Sequence, residues 1–144
     1  TSYLDLVDFI KSNSIQPNKD LEELWNRLVF SILISNTDDH LRNHDFILSE
    51  NGWKLSPLFD VNPNPLGKEL SLNITEDNNL KQLSLALDTA KYYNLPLEKA
   101  KNNATRIAAV VMNNWRRLAK LNGCSASEIE RMQPAFEDKF VTTL

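Results

Sequence analysis

The chain has 144 residues, a formal net charge of −3, 42% hydrophobic residues and 24% charged residues, the make-up of a globular domain long enough to bury a real core. That excludes a disordered chain, a collagenous repeat and a coiled coil, and the negative balance argues against direct nucleic-acid binding beyond a local basic patch. The longest apolar run, Leu28 to Ile34, falls short of the roughly 20 residues a membrane span needs, and Cys124, as the one cysteine, permits neither an intrachain disulfide nor a Cys-based zinc site.

Tyr3 to Lys11 reads as a short amphipathic helix, with Leu4, Val7 and Ile10 at helical spacing. Asp5 and Asp8 interrupt this apolar start, so no secretory signal is expected and a reducing cytoplasm fits. Pro17 ends that unit. A second helix is expected from about Asp20 to Ser35; after Leu28 it is apolar nearly all round, which marks a buried central helix. The polar segment Asn36 to Asn43 follows at once. Phe46-Ile47-Leu48 and Trp53-Lys54-Leu55 are expected to pair as a hairpin through a type I′ turn at Asn51-Gly52.

Pro57, Pro63 and Pro65 make the next stretch an irregular loop, and Leu70 to Ile74 reads as a short strand. Leu80 to Tyr93 reads as a helix that stops before Pro96. Leu97 to Leu121 is the longest helix, with Ala100, Ala104, Ile107, Val111, Trp115 and Leu118 as its apolar stripe. Arg116, Arg117 and Lys120 suit its negative dipole end, and Gly123 marks its stop. Ser125 and Glu128 form a capping box for a last helix to Met132. The expected fold class is mainly α (α+β), one domain over 1–144 with a single hairpin.

Gly52, Gly67 and Gly123 are the only glycines, and no two share a loop. A Walker P-loop, a dinucleotide fingerprint and a Gly-rich kinase lid all need clustered glycines. Any phosphate-cradling loop is therefore expected on another segment or chain.

The segment Asn36-Thr37-Asp38-Asp39-His40-Leu41-Arg42-Asn43 carries the chemistry. A loop that follows a rigid buried element is where reactive groups tend to be mounted. Asp38 and Asn43 have the spacing of the base and the metal-ligating Asn in a protein-kinase catalytic loop. Asp60 follows the second hairpin strand, where kinases place an acid that holds Mg²⁺. A hard ion prefers oxygen ligands, and the Asp60 carboxylate and Asn43 amide oxygen supply them. Asp38 is placed to accept or orient the proton of a substrate hydroxyl.

With these residues the sequence resembles the C-terminal part of HipA-type protein kinases, the toxins of bacterial toxin–antitoxin modules. The resemblance rests on Ile34 to Asn43, on Trp53 to Pro63 and on the helical tail with Trp115, and it covers most of the chain. It implies the helical C-terminal lobe of a protein-kinase-like fold, related to the phosphoinositide-kinase-like branch. The implied activity is transfer of the ATP γ-phosphoryl group to a protein Ser or Thr hydroxyl. Asp38 matches the catalytic aspartate, and Asn43 and Asp60 match the metal ligands. His40 and Arg42 support the catalytic loop, His40 by orienting it and Arg42 by contacting phosphate or a neighbouring carboxylate. Mg²⁺ and ATP are implied for the complete kinase, with neither held tightly by this chain alone. The implied partners are an N-terminal nucleotide-binding lobe that brings the phosphate loop and lysine, an antitoxin, and a protein substrate. No membrane is implied.

Other readings stand beside these. Asp38 and Asp39 would also serve to cap a helix starting at Thr37; Asp39 has no catalytic match and is expected to be structural or solvated. His40 and His44 have a helical metal-pair spacing, but no Glu completes a metalloprotease motif and Phe46 begins a strand too soon. The basic residues of the long helix read as a solvated face, Trp115 as core and Cys124 as structural. The alternative function is a non-catalytic, kinase-derived module that binds an antitoxin or another chain.

Overall fold

The computed structural model describes residues 1–137. Five helices and one hairpin appear among them: α1 (Tyr3–Asn13), α2 (Pro17–Ile34), β1 (Phe46–Ser49), β2 (Gly52–Leu55), α3 (Leu83–Thr89), α4 (Leu97–Leu121) and α5 (Ala126–Phe136). Short 3₁₀ turns cover Leu41–Asn43 and Ala90–Tyr93. The fold is mainly helical, with one two-stranded antiparallel sheet.

α2 is the central element. It touches α1, α3, α4, α5 and β2, which is why its sequence is apolar on all sides past Leu28. Leu21, Leu24, Trp25, Leu28, Val29 and Ile32 are wholly buried along it. Pro17 opens this helix at its first position, where a missing N–H costs nothing; the helix therefore starts three residues before the expected Asp20. Asp20 is buried instead, and it binds the hairpin to the helices. Its Oδ2 accepts from the Ser14 hydroxyl (2.7 Å) and the Leu55 N–H (2.9 Å), and its Oδ1 from the Gln16 amide (2.9 Å).

The hairpin forms with a corrected turn. Phe46 faces Leu55 and Ser49 faces Gly52, so Glu50-Asn51 is the two-residue loop, not Asn51-Gly52. Gly52 is the residue with positive φ (+124°). The cause is tertiary: Ile15 N–H donates to Trp53 O (2.9 Å), and a Cβ on Gly52 would lie 2.7 Å from Ile15 Cγ2. The linker between α1 and α2 thus lies against the hairpin at the one position without a side chain.

The expected strand Leu70 to Ile74 is not a strand. Leu70, Leu72 and Ile74 are buried in alternation, but their backbone meets only isolated bridges at Ser2–Asn73 and Glu69–Leu80. The period-2 pattern reflects one-sided burial of an extended segment without a ladder partner. The expected helix Leu80 to Tyr93 begins at Leu83 and tightens into 3₁₀ at Ala90. α4 has the expected bounds. α5 has the Ser125–Glu128 capping box but runs past Met132 to Phe136, with the exposed Pro134 in its last turn. Residues 138–144 lie outside the described structure.

Trp115 is buried and stacks on Phe136 with centroids 4.5 Å apart. Both border an apolar cavity of about 570 Å³ between α4 and α5. Cys124, expected to be structural, is a free and exposed thiol at its rim. On α4, Lys99 pairs with Glu22 (2.6 Å), Lys101 with Glu98 (3.1 Å) and Arg116 with Glu137 (2.8 Å); half of the basic face is balanced locally. No helix among the described residues is long and apolar enough to cross a membrane.

Candidate functional site

Ser35 ends α2 in the left-handed conformation (φ 56°). That turns the chain sharply into the polar segment the sequence singles out. The turn is braced from three sides. Lys81 Nζ donates to Ser35 Oγ (2.7 Å) and to Gly67 O (3.1 Å), and Ser35 Oγ donates to Ala135 O near the end of α5 (2.7 Å). Lys81 is 5% exposed; a buried ammonium persists only with such partners.

Beyond Ser35 the loop is stitched to residues 60–71. Asn64 N–H donates to Ser35 O (2.9 Å) and the Asn64 amide to Thr37 Oγ1 (3.0 Å). Both the N–H and the hydroxyl of Ser71 donate to Thr37 O. Gly67 approaches so closely that a Cβ there would lie 2.4 Å from the Thr37 side chain. The site loop and the Pro-rich loop therefore form one layer.

Asp38, His40, Asn43 and Asp60 make a continuous set of contacts. Asp38 Oδ1 lies 2.8 Å from His40 Nε2. His40 N–H donates to Asn43 Oδ1 (2.9 Å), and Asn43 Nδ2 donates to Asp60 Oδ2 (2.5 Å). The Asn62 amide takes the other Asp60 oxygen (3.1 Å). Asp60 has φ 54°, a left-handed backbone that Asp tolerates better than most residues. The strand leading to it is anchored by buried Arg27, whose guanidinium donates to Ser56 O (2.6 Å). Arg42 is exposed.

The two adjacent acids have opposite surroundings. The Asp38 side chain is 80% exposed and that of Asp39 is 5% exposed. No helix starts at Thr37 for either to cap. Asp39 is structural and not solvated: the Tyr3 hydroxyl donates to its Oδ2, and His44 Nε2 lies 2.9 Å from its Oδ1 without the alignment of a hydrogen bond. Burial, then the neighbouring Asp39 carboxylate, push the Tyr3 phenol well above its usual range, so Tyr3 stays a proton donor. His44 is buried edge-on to Tyr3, with ring centroids 5.6 Å apart. The two histidines are thus directed to different carboxylates, and among the described residues no three His, Cys, Asp or Glu side chains gather as a metal site.

The donor set nevertheless suits a hard cation of the Mg²⁺ kind, which needs one or two protein carboxylates besides water and phosphate oxygens. Asp60 supplies a carboxylate. The Asn43 amide oxygen is turned to the His40 N–H, with its NH₂ toward Asp60. An ion shared with Asp60 requires that amide to turn over, which places its oxygen where its nitrogen now lies.

The sequence pattern gives no site role to Tyr3, Asn36, Asn62 or Lys81, and it pairs His44 with His40, whereas the structure sets His44 against Asp39. Asn36 and Asn62 stand inside the two quoted motifs, where an amide beside a buried helix end is a usable signal. Tyr3 is 36 residues away from Asp39, and no local pattern joins them.

A family model described as the HipA-like C-terminal domain matches residues 1–115, which include every residue of this site. Over 68 residues the chain is 34% identical to a Haemophilus influenzae protein named "Putative kinase", a match that covers 44% of this chain and 20% of that protein. The chain thus spans about a fifth of the length of this curated relative.

Proposed function

The chain belongs to the HipA-like C-terminal domain family, and from that premise we propose that it is the C-terminal catalytic-lobe portion of a protein-kinase-like enzyme. The reaction is transfer of the ATP γ-phosphoryl group to a protein Ser or Thr hydroxyl, in the setting of a bacterial toxin–antitoxin pair. One observation carries the reading: Asp38, His40, Asn43 and Asp60 form an unbroken line of contacts across a hairpin.

The roles follow from exposure and chemistry. Asp38 projects to solvent, where it meets the incoming hydroxyl and takes or orients its proton. His40 brings its ring within 2.8 Å of the Asp38 carboxylate and holds the Asn43 amide with its backbone N–H. Asp60 and Asn43 are the residues that hold Mg²⁺, which supplies charge neutralisation at the phosphates when bound. Arg42, exposed beside them, is free to reach a phosphate oxygen. The backbone donors and lysine that cradle phosphates belong to sequence beyond these 144 residues, in keeping with the scattered glycines.

The test uses the complete protein that contains this chain. Incubated with γ-labelled ATP, Mg²⁺ and a candidate protein acceptor, it should transfer label to Ser or Thr, and Asp38→Asn should not. Equal labelling by both forms overturns the assignment.

A further inference from the structure

Beneath the loop lies a run of buried polar groups that the proposed chemistry does not use. Asn62 N–H donates to Asn36 Oδ1 (3.1 Å), and Asn36 Nδ2 donates to Ser31 Oγ (3.3 Å). Separately, the Tyr3 hydroxyl donates to Asp39 Oδ2. The first two bonds run head to tail from Asn62 to Ser31, and the Tyr3 bond ends on a buried carboxylate. Asn62 stands two residues after Asp60, and Asp39 one residue after Asp38. Tyr3, Ser31, Asn36 and Asp39 are 0, 2, 2 and 3% exposed.

Hydrogen bonds aligned head to tail in a low-dielectric interior polarise and strengthen one another. An interrupted member leaves a buried polar group unpaired, which is costly. Such a run therefore favours one arrangement of both segments over any other. Tyr3 stands apart from the other groups because it comes from α1, outside the loop layer, and holds the loop through Asp39. The ring of Tyr3 fills the core beside Val7 and Ile10, as a Phe would; only the hydroxyl needs Asp39. With Asp39 held inward by Tyr3 and flanked by His44, its neighbour Asp38 is left at the surface.

We infer that Tyr3 is a positioning residue for the Asp38–Asp60 site, acting through Asp39 on residues 36–43, to which Asn62 and Asn64 tie the segment 60–64. What is positioned rests on the kinase reading above; that the Tyr3 hydroxyl orders residues 36–43 and 60–64 does not.

The experiment takes the complete kinase as wild type, Tyr3→Phe, Asp39→Asn and the double variant. It measures kcat, the ATP KM, and amide hydrogen exchange in peptides covering 36–43, 60–64 and α4. Tyr3→Phe should lower kcat by about tenfold or more, since small misplacements of reacting groups cost that much, with the ATP KM within about twofold. Exchange should quicken in 36–43 and 60–64 and stay unchanged in α4. The double variant should lose no more than the worse single variant, because both break the same contact.

A merely structural tyrosine would quicken exchange in α4 as well and leave kcat intact below the unfolding temperature; that result overturns the inference. So does unchanged exchange in the two loops. Should wild type transfer no phosphoryl group while Tyr3→Phe loosens only the loops, the kinase reading falls and the ordering role of Tyr3 stands. Active wild type with an equally active, equally protected Tyr3→Phe gives the reverse. If Tyr3→Phe fails to fold, Asp39→Asn decides by the same kcat and exchange readouts.

Discussion

Asn43 and Asp60, 17 residues apart in the chain, meet side chain to side chain at 2.5 Å, the amide of one against the carboxylate of the other. The contact closes the hairpin between them into a ring of structure: loop, strand, strand, loop. It also carries a functional asymmetry. The amide oxygen of Asn43 is held by the His40 backbone, so the pair is arranged as a neutral-to-anionic hydrogen bond whose geometry a cation would invert.

The two acids of the site should fail in different ways. On the proposed kinase reading, Asp38→Asn in the full-length protein is expected to reduce kcat by about 10²–10⁴-fold, the usual worth of an acid–base group, with nucleotide affinity within about twofold of wild type. Asp60→Asn should instead weaken Mg²⁺-dependent nucleotide binding, because it removes the charged ligand proposed for the ion. Steady-state kinetics with parallel nucleotide titrations separate the two; matching defects would mean that the roles are not divided as assigned.

The 144-residue chain alone should give no saturable heat with ATP and Mg²⁺ at micromolar concentrations. Its three glycines are scattered, and the backbone donors that hold phosphates are not gathered in any one loop. Calorimetric titration checks this. Tight binding would place the nucleotide on residues other than those proposed.

Gly67→Ala should damage the site from a distance. Its Cβ would lie 2.4 Å from the buried Thr37 side chain, which is already held by Asn64. Overpacking of this kind costs about 1–3 kcal/mol, and the displaced residue is next to Asp38. Denaturant unfolding and turnover should therefore both suffer. An unaffected Gly67→Ala variant would show that the two loops are not in fixed contact.

Two tryptophans should respond unequally to the same change. Trp25 is wholly buried and its indole N–H donates to Ala86 O (2.9 Å), whereas the buried Trp115 N–H has no partner. Trp25→Phe breaks a satisfied bond; Trp115→Phe removes an orphaned donor. The first should cost more stability by roughly 1–3 kcal/mol. Urea unfolding of the pair tests it, and a larger loss at position 115 would contradict the structure.

Glu22 provides a pH signature for the α2–α4 contact. Hydrogen bonds from Lys99 and Asn103 hold its carboxyl below the ordinary 4.5. A depressed carboxylate contributes stability above its unfolded value and loses it as pH falls through the folded value. Glu22→Gln should therefore be less stable than wild type at pH 7, with the gap narrowing in acid as pH falls through the folded value below 4.5. A gap of the same size at pH 7 and in acid would dissociate Glu22 from the tie.

Much of this architecture was legible in the residues themselves, because the signals involved are local. α4 took its bounds from an apolar stripe and an ending Gly, and α5 took its start from Ser125 and Glu128; helix periodicity and capping act within a turn or two. The buried character of α2 was written in its all-round apolar sequence. The spacing of Asp38, Asn43 and Asp60 likewise required no coordinates. Where local preference competed with a distant partner, the partner won. Asn51-Gly52 has the chemistry of a type I′ turn, yet the turn fell on Glu50-Asn51 because Ile15 occupies the space beside Gly52. Leu70, Leu72 and Ile74 alternate like a strand, yet no neighbouring strand was there to receive their hydrogen bonds. Asp38 and Asp39 are chemically identical and adjacent. Composition and spacing could not say that one would be clamped under Tyr3 while the other faced water. That distinction depends on a phenol delivered by a helix 36 residues upstream and on a run of buried hydrogen bonds that exists only once α1, α2 and the loop layer have closed together, since buried polar groups are paired by whichever element folding brings within reach.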